Sequence, residues 1–354
     1  MNMTKDLYQK LADYLNTLPG GFPPTESGVE IRILKRLFTP EEAELAADLT
    51  LFQETPAQIA ARLNRDEAET EALLQEMSKK GLIIRVTKKG ETKYMSAQFV
   101  VGIWEFHVND LDEGLIRDFN EYVPFLFKDQ LKNKTQQLRV IPISESISAE
   151  MEIMPYDAAE NIIKSQKTLL VAPCICRREH TMVGEGCERT EESCLVFGAS
   201  ARYYEENGLG RYIDTEEALD ILHKALEEGL VLQPGNSQRP SNICMCCGCC
   251  CQILTNLKTV DAPAKVVNSS YYAAVEPENC TACGICEERC PMDAILIEDH
   301  AAVDLDRCIG CGVCVGGCDF DAIRLMEKED KDRWVPPANL VETYMNIAKE
   351  RGLI

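Results

Sequence analysis

Eight of the eighteen cysteines stand in two matched runs, Cys280-x2-Cys283-x2-Cys286-x3-Cys290-Pro291 and Cys308-x2-Cys311-x2-Cys314-x3-Cys318. Thiols two residues apart can wrap three corners of one iron–sulfur cube without strain. The fourth thiol of each run lies too far round the chain to close that cube, so it ligates the other one. The spacing therefore assigns Cys280, Cys283, Cys286 and Cys318 to one [4Fe–4S] cluster, and Cys308, Cys311, Cys314 and Cys290 to a second. Gly284, Gly310, Gly312, Gly316 and Gly317 let the backbone approach the sulfides, where amide N–H groups tune the potential. Zinc is the competing reading, but zinc sites use separated cysteine pairs and have no reason for the interleaved ending. Short strands are expected around the runs at 294–298, 301–305 and 322–326.

The other ten cysteines lie earlier: Cys174, Cys176, Cys187, Cys194, Cys244, Cys246, Cys247, Cys249, Cys250 and Cys251. A helix expected at 215–229 separates the two groups, and both ends are expected to fold onto one metallic site. Adjacent cysteines point in different directions, so Cys246 and Cys247 do not both reach one iron, nor do Cys249, Cys250 and Cys251 together. A third [4Fe–4S] cluster needs only four of the ten. A larger or non-cubane cluster or a fourth cube would use more, and the extra thiols would be spare ligands, a vicinal disulfide or redox-active groups; zinc or a bare redox-active thiol set is the alternative to any cluster there. Arg177, Arg178 and Arg189 can screen a cluster's negative charge or hold an anionic substrate. His180 reads as a hydrogen-bonding neighbour.

The double run resembles the bacterial two-cluster ferredoxin family over residues 271–327, and the resemblance implies electron transfer through two [4Fe–4S] clusters. One departure is Asp319, where the family has proline after the last cysteine; it removes no ligand but adds a carboxylate beside a cluster. Cys246-Cys247-Gly248 is similar to the tandem cysteines of the heterodisulfide-reductase family, although the other spacings do not follow that family. The layout as a whole resembles a family of winged-helix, cysteine-rich ferredoxin-domain proteins of strict anaerobes.

Composition agrees with a reduced, metal-loaded chain. Disulfides staple small secreted domains, whereas this chain has 354 residues and clusters its cysteines in tight runs. No apolar run approaches the roughly 20 residues that span a bilayer, and the charged start Met1-Asn2-Met3-Thr4-Lys5-Asp6 has no signal-peptide core. A cytoplasmic location is the expectation. The net charge of −21 repels nucleic acid and favours a redox partner with a basic docking surface. The length outside the ferredoxin-like part suggests docking to such a partner or to a second copy of the chain. Dinucleotide and phosphate-loop fingerprints, H-E-x-x-H and G-x-S-x-G are all absent.

The elements that must position these residues read as an α+β multidomain chain. Residues 1–28 form an amphipathic helix (Leu7, Leu11, Tyr14, Leu15, Leu18) and a linker. Residues 29–100 resemble a winged helix: a helix over 29–37, one started by Thr39-Pro40, one by Thr55-Pro56, one opened by Arg65-Asp66, and a hairpin turning at Lys88-Lys89-Gly90. Ala68, Leu73, Leu74 and Met77 are expected inward. The helix over 65–80 would enter a DNA groove, but Asp66, Glu67, Glu69 and Glu71 sit where phosphates would lie. A helical connector follows at 101–165, with Trp104, Phe106, Phe119, Tyr122, Phe125 and Phe127 as core aromatics, a structural His107 and a strand over 138–143. A cysteine-rich middle domain (166–270), the ferredoxin-like domain (271–327) and a tail ending in a helix (328–354) complete the chain. Three functions fit: an electron-transfer protein or subunit, a reductase with its active site in the middle region, and a redox-sensing regulator.

Overall fold

A computed structural model describes residues 3–147 and 153–354, so part of the expected connector, 148–152, lies outside the described residues. The chain divides into two compact units. One comprises Met1–Asn133, Arg202–Gly210 and Ile347–Ile354; the other comprises Lys134–Ala201 and Arg211–Asn346.

The first unit begins with helices α1 (Met3–Asn16), α2 (Val29–Leu37), α3 (Pro40–Ala46), α4 (Pro56–Leu63) and α5 (Glu67–Lys79). A hairpin of β1 (Ile83–Lys88) and β2 (Glu91–Ser96) follows, then the short α6 (Trp104–Phe106) and α7 (Glu113–Gln130). Thr39 and Thr55 each cap a helix through a reciprocal capping box with proline at the first position, as their sequence context predicts. Replacing Thr39 by Ala is expected to cost about 1 kcal/mol, read as a small drop in the melting temperature of this unit. The hairpin turns through Lys89 and Gly90, both left-handed (φ 53° and 83°), the backbone that matches strand twist in a two-residue loop.

Leu11, Leu15, Ile33, Leu34, Ile59, Leu74 and Met77 are buried, which follows from their helical spacing. Trp104 stacks on Phe119 with ring centroids 3.6 Å apart. His107 is buried with Nδ1 2.7 Å from the Ile103 carbonyl, a structural histidine. Two expectations fail. Ala68 is exposed among the acids of the first turns of α5, and Phe125 is 48% exposed because it falls on the outer face of α7. Two basic residues of the hairpin are paired: Arg85 with Glu206 at 2.9 Å and Lys93 with Glu91 at 3.0 Å. Asp66, Glu67, Glu69 and Glu71 are all exposed.

The second unit is built on a five-stranded antiparallel sheet. In chain order it comprises α8 (Ala159–Lys164), β3 (Leu169–Pro173), α9 (Ile175–Met182), β4 (Glu192–Phe197), α10 (Gly198–Glu206, which ends in the first unit), β5 (Arg211–Ile213), α11 (Thr215–Glu227), β6 (Val231–Pro234), β7 (Asn242–Cys246) and α12 (Gln252–Lys258). The strand order is β5-β3-β4-β7-β6, with α11 packed on β3 and β4. The chain then forms β8 (Tyr271–Val275), α13 (Ile285–Arg289), a hairpin of β9 (Ile295–Ile297) and β10 (Ala301–Val303), β11 (Ile323–Glu327) and α14 (Leu340–Glu350). β8 pairs with β11. The expected strand at 138–143 reduces to isolated bridges, Leu138 to Gly235 and Ile141 to Leu232. Pro142 has no N–H to extend a ladder. Among the described residues no helix is long and apolar enough to cross a membrane.

Candidate metal centres

The eight late cysteines surround two cavities. Cys290, Cys308, Cys311 and Cys314 line one, with about 340 Å³ of atom-free space, and Cys280, Cys283, Cys286 and Cys318 line the other, with about 350 Å³. Each quartet takes three thiols from one run and the fourth from the other. The remaining lining is largely aliphatic, including Ile295, Val303 and Ile309 in the first cavity and Val275, Ile297 and Ile323 in the second.

Left-handed backbone recurs at matching places in the two runs, at Ala282 and Gly310, Gly284 and Gly312, and Asp293 and Asp321. This is the local imprint of the internal repeat. At Gly310 a Cβ would overlap the Tyr271 carbonyl, and at Gly312 it would overlap the Ser146 hydroxyl. Both glycines are therefore demanded by close packing as well as by φ.

Backbone amides point at the sulfurs. Ala273 N–H donates to Cys308 Sγ (3.4 Å), Ala294 N–H to Cys290 Sγ (3.3 Å) and Ala301 N–H to Cys280 Sγ (3.3 Å). Such donors favour negative charge on the sulfur and raise the potential of whatever metal it binds. Burial pushes the Cys286, Cys290, Cys311 and Cys314 thiols up, so without metal they retain their protons at neutral pH. Asp319 is exposed, leaving its carboxylate to the solvent.

Residues 273–331 match a family model described as a 4Fe-4S dicluster domain. The match supports a ferredoxin-type domain at this end of the chain, and the two cavities of four thiols each suit iron–sulfur clusters. No curated protein and no solved structure matches the chain.

Upstream of the dicluster region the ten remaining thiols form two groups, where the sequence suggested one. No two cysteines of the chain are joined in a disulfide. Cys194 on β4 pairs in register with Cys244 on β7, and Cys246 lies two residues on, on the same face of the sheet. Six thiols neighbour and act on one another in turn, from Cys174 to Cys176, Cys251, Cys246, Cys244 and Cys194. Contact with two neighbouring thiols, together with burial, raises the Cys176 and Cys246 pKa well above the usual thiol range, while the same contacts lower those of Cys251 and Cys244. Amide groups of Gln233 and Asn242 reach Cys251 Sγ (3.8 Å) and Cys244 Sγ (3.6 Å). Gln233 is brought there by the pairing of β6 with β7, which no local sequence signal marked, whereas Asn242 stands two residues before Cys244 on β7 itself.

The second group is Cys187, Cys247, Cys249 and Cys250, whose sulfurs all lie within 4.8 Å of one another. Cys187 comes from the loop before β4, and the other three from the turn between β7 and α12. Adjacent cysteines do diverge at Cys246–Cys247 and at Cys250–Cys251, each pair splitting between the two groups.

Arg177 stands near both groups. It is 2% exposed, its Nη2 donates to the Met245 carbonyl at 3.0 Å and to Ser193, and its charge acts on Cys174, Cys247 and Cys246. Arg178 instead pairs with Glu191 at 2.6 Å, and His180 Nδ1 meets the Cys176 carbonyl at 2.8 Å, so neither reaches the thiols through these contacts. Gly248 brings the cysteine-rich turn onto the dicluster region, since a Cβ there would stand 2.9 Å from the Pro291 carbonyl oxygen.

Proposed function

We propose that this chain is an iron–sulfur electron-transfer protein, or the electron-transfer subunit of a redox complex, with two [4Fe–4S] clusters in the dicluster region. The observation that carries the reading is the pair of cysteine quartets, each drawn from both runs around its own cavity. Cys280, Cys283, Cys286 and Cys318 would hold one cluster, and Cys290, Cys308, Cys311 and Cys314 the other. Such clusters supply one-electron transfer, which requires no side chain to act as acid or base. The protein sets potential through the amides of Ala273, Ala294 and Ala301, and sets distance through the fold.

An additional cluster belongs to the six-thiol chain, where Arg177 supplies a buried counter-charge. The packing of Gly248 on Pro291 gives this region a short covalent and contact route to Cys290. A second reading, a reductase centred on the same six thiols, is favoured by their number, since a cube takes only four. The net charge of −21 suits a partner with a basic docking surface and a reducing, cytoplasmic setting. The acids on α5 set the helix-and-hairpin unit toward docking a protein or a second copy of the chain, and away from DNA.

The test is iron and acid-labile sulfide per chain in protein purified without oxygen, with electron paramagnetic resonance of the reduced sample. About twelve irons are expected, eight of them giving the spectrum of two interacting cubes. About eight would remove the additional cluster, and far fewer after anaerobic reconstitution would overturn the whole reading. A middle-region signal that changes on adding a thiol or disulfide substrate would favour the reductase.

A further inference from the structure

The dicluster quartets and the group of Cys187, Cys247, Cys249 and Cys250 differ in how far they close. The former each surround an open space between their sulfurs. The latter converge on a point, and no other set of three or more His, Cys, Asp or Glu among the described residues is drawn so tightly together. Four thiolates on one tetrahedral ion, each at about 2.3 Å, stand about 3.8 Å apart. Cys187 and Cys247 are separated by 4.0 Å, and Cys249 and Cys250 by 3.7 Å. Thiolates around a cube each bond a different iron and must stand wider than this.

We propose that Cys187, Cys247, Cys249 and Cys250 hold a single tetrahedral zinc ion, separate from every iron–sulfur cluster of the chain. An all-sulfur tetrahedron suits zinc, which imposes no geometry of its own and takes no part in redox steps. Four thiols lose their protons as the ion enters, and the resulting centre carries two negative charges. Two arginines face that charge. Arg189 Nη1 donates to Cys249 Sγ at 3.5 Å, and the buried Arg177 has its Nε and Nη1 turned to no oxygen or nitrogen acceptor. The ion ties the Cys187 loop to the Cys247–Cys250 turn, far apart in sequence, and so fixes the turn that carries Gly248 against Pro291.

Zinc, iron and acid-labile sulfide per chain, measured on the full-length protein and its Cys249→Ser variant, test this. Cys249 is exposed, so its replacement leaves the core intact. One zinc per wild-type chain is expected, falling at least about tenfold in the variant, with iron and sulfide unchanged. Cobalt(II) in place of zinc should give strong thiolate-to-cobalt absorption, weakened in Cys249→Ser and shifted but retained in Cys249→His. Loss of about four irons and four sulfides in the variant would mean a cube at this site and overturn the proposal, as would iron without sulfide in place of zinc, or no change in any metal. Iron content reports on the clusters and zinc on this site, so the two readings fail separately.

Discussion

Removing iron from the anaerobic protein with a chelator is expected to unfold the dicluster region while the helices of the first unit remain. The core of this region is small: Ala273, Ile295, Ala301 and Ile323, with Cys286 and Cys314 among them and Cys280, Cys290, Cys308 and Cys318 packed against it. Its strands run three to five residues in two-stranded ribbons, and such ribbons are marginal without a further layer. Six of the fourteen residues that form this core or pack against it are therefore cysteines. If the clusters are bound as proposed, their binding free energy is folding free energy for this segment. The protonated thiols left behind fill neither cavity. Amide exchange in β8 and β11 is expected to accelerate at least about 100-fold, close to 3 kcal/mol. Cys314→Ala should lose about four irons and show the same acceleration. Protected β8 and β11 amides in iron-free protein would show that packing alone holds the region together.

Arg139→Met is expected to destabilise the second unit by about 3–5 kcal/mol, a drop on the order of 10 °C in melting temperature. Arg139 is 1% exposed and pairs with the buried Asp157 at 2.8 Å, while Tyr271 Oη donates to the other Asp157 oxygen at 3.3 Å. Arg139 also donates to the Tyr156 and Ser237 carbonyls. The pair thus joins the segment after residue 134 to β8. Removing the guanidinium strands a carboxylate in the interior. Burial already holds the Asp157 pKa above the usual carboxylate value, with Arg139 and Tyr271 pulling it down.

The pH dependence follows from that direction. A raised folded-state pKa favours folding below the unfolded value of about 3.9 and loses that contribution as pH rises through the folded value. Without Arg139 the folded value climbs further. The deficit of Arg139→Met should therefore be largest near neutral pH and shrink in acid as Asp157 takes up a proton. The double variant Arg139→Met/Asp157→Leu should recover most of the loss, because no charge remains buried. A single-variant loss below about 1 kcal/mol would show that solvent reaches the pair.

What was legible in the sequence is what local chain geometry controls. Capping residues and proline placed the starts of α3 and α4, and the Lys-Gly turn placed the hairpin, because these depend on a few consecutive residues. The grouping of the eight late cysteines around two spaces was equally legible, since a short spacing limits which sulfurs can meet round one centre. The strand at 138–143 misled because its apolar residues suit a ladder that Pro142 cannot continue.

The ten middle cysteines mark the boundary of that reasoning. Sequence determined that they were close enough in number and spacing to hold metal, and that neighbours such as Cys246 and Cys247 would diverge. It contained no rule for sorting them. Only the pairing of Cys194 with Cys244 across β4 and β7, and the alternation that turns Cys246 to the same face, separates six thiols from the four at Cys187 and the following turn. Strand register is set by the burial of whole faces across distant segments, so the division between the two groups of thiols belongs to the tertiary structure.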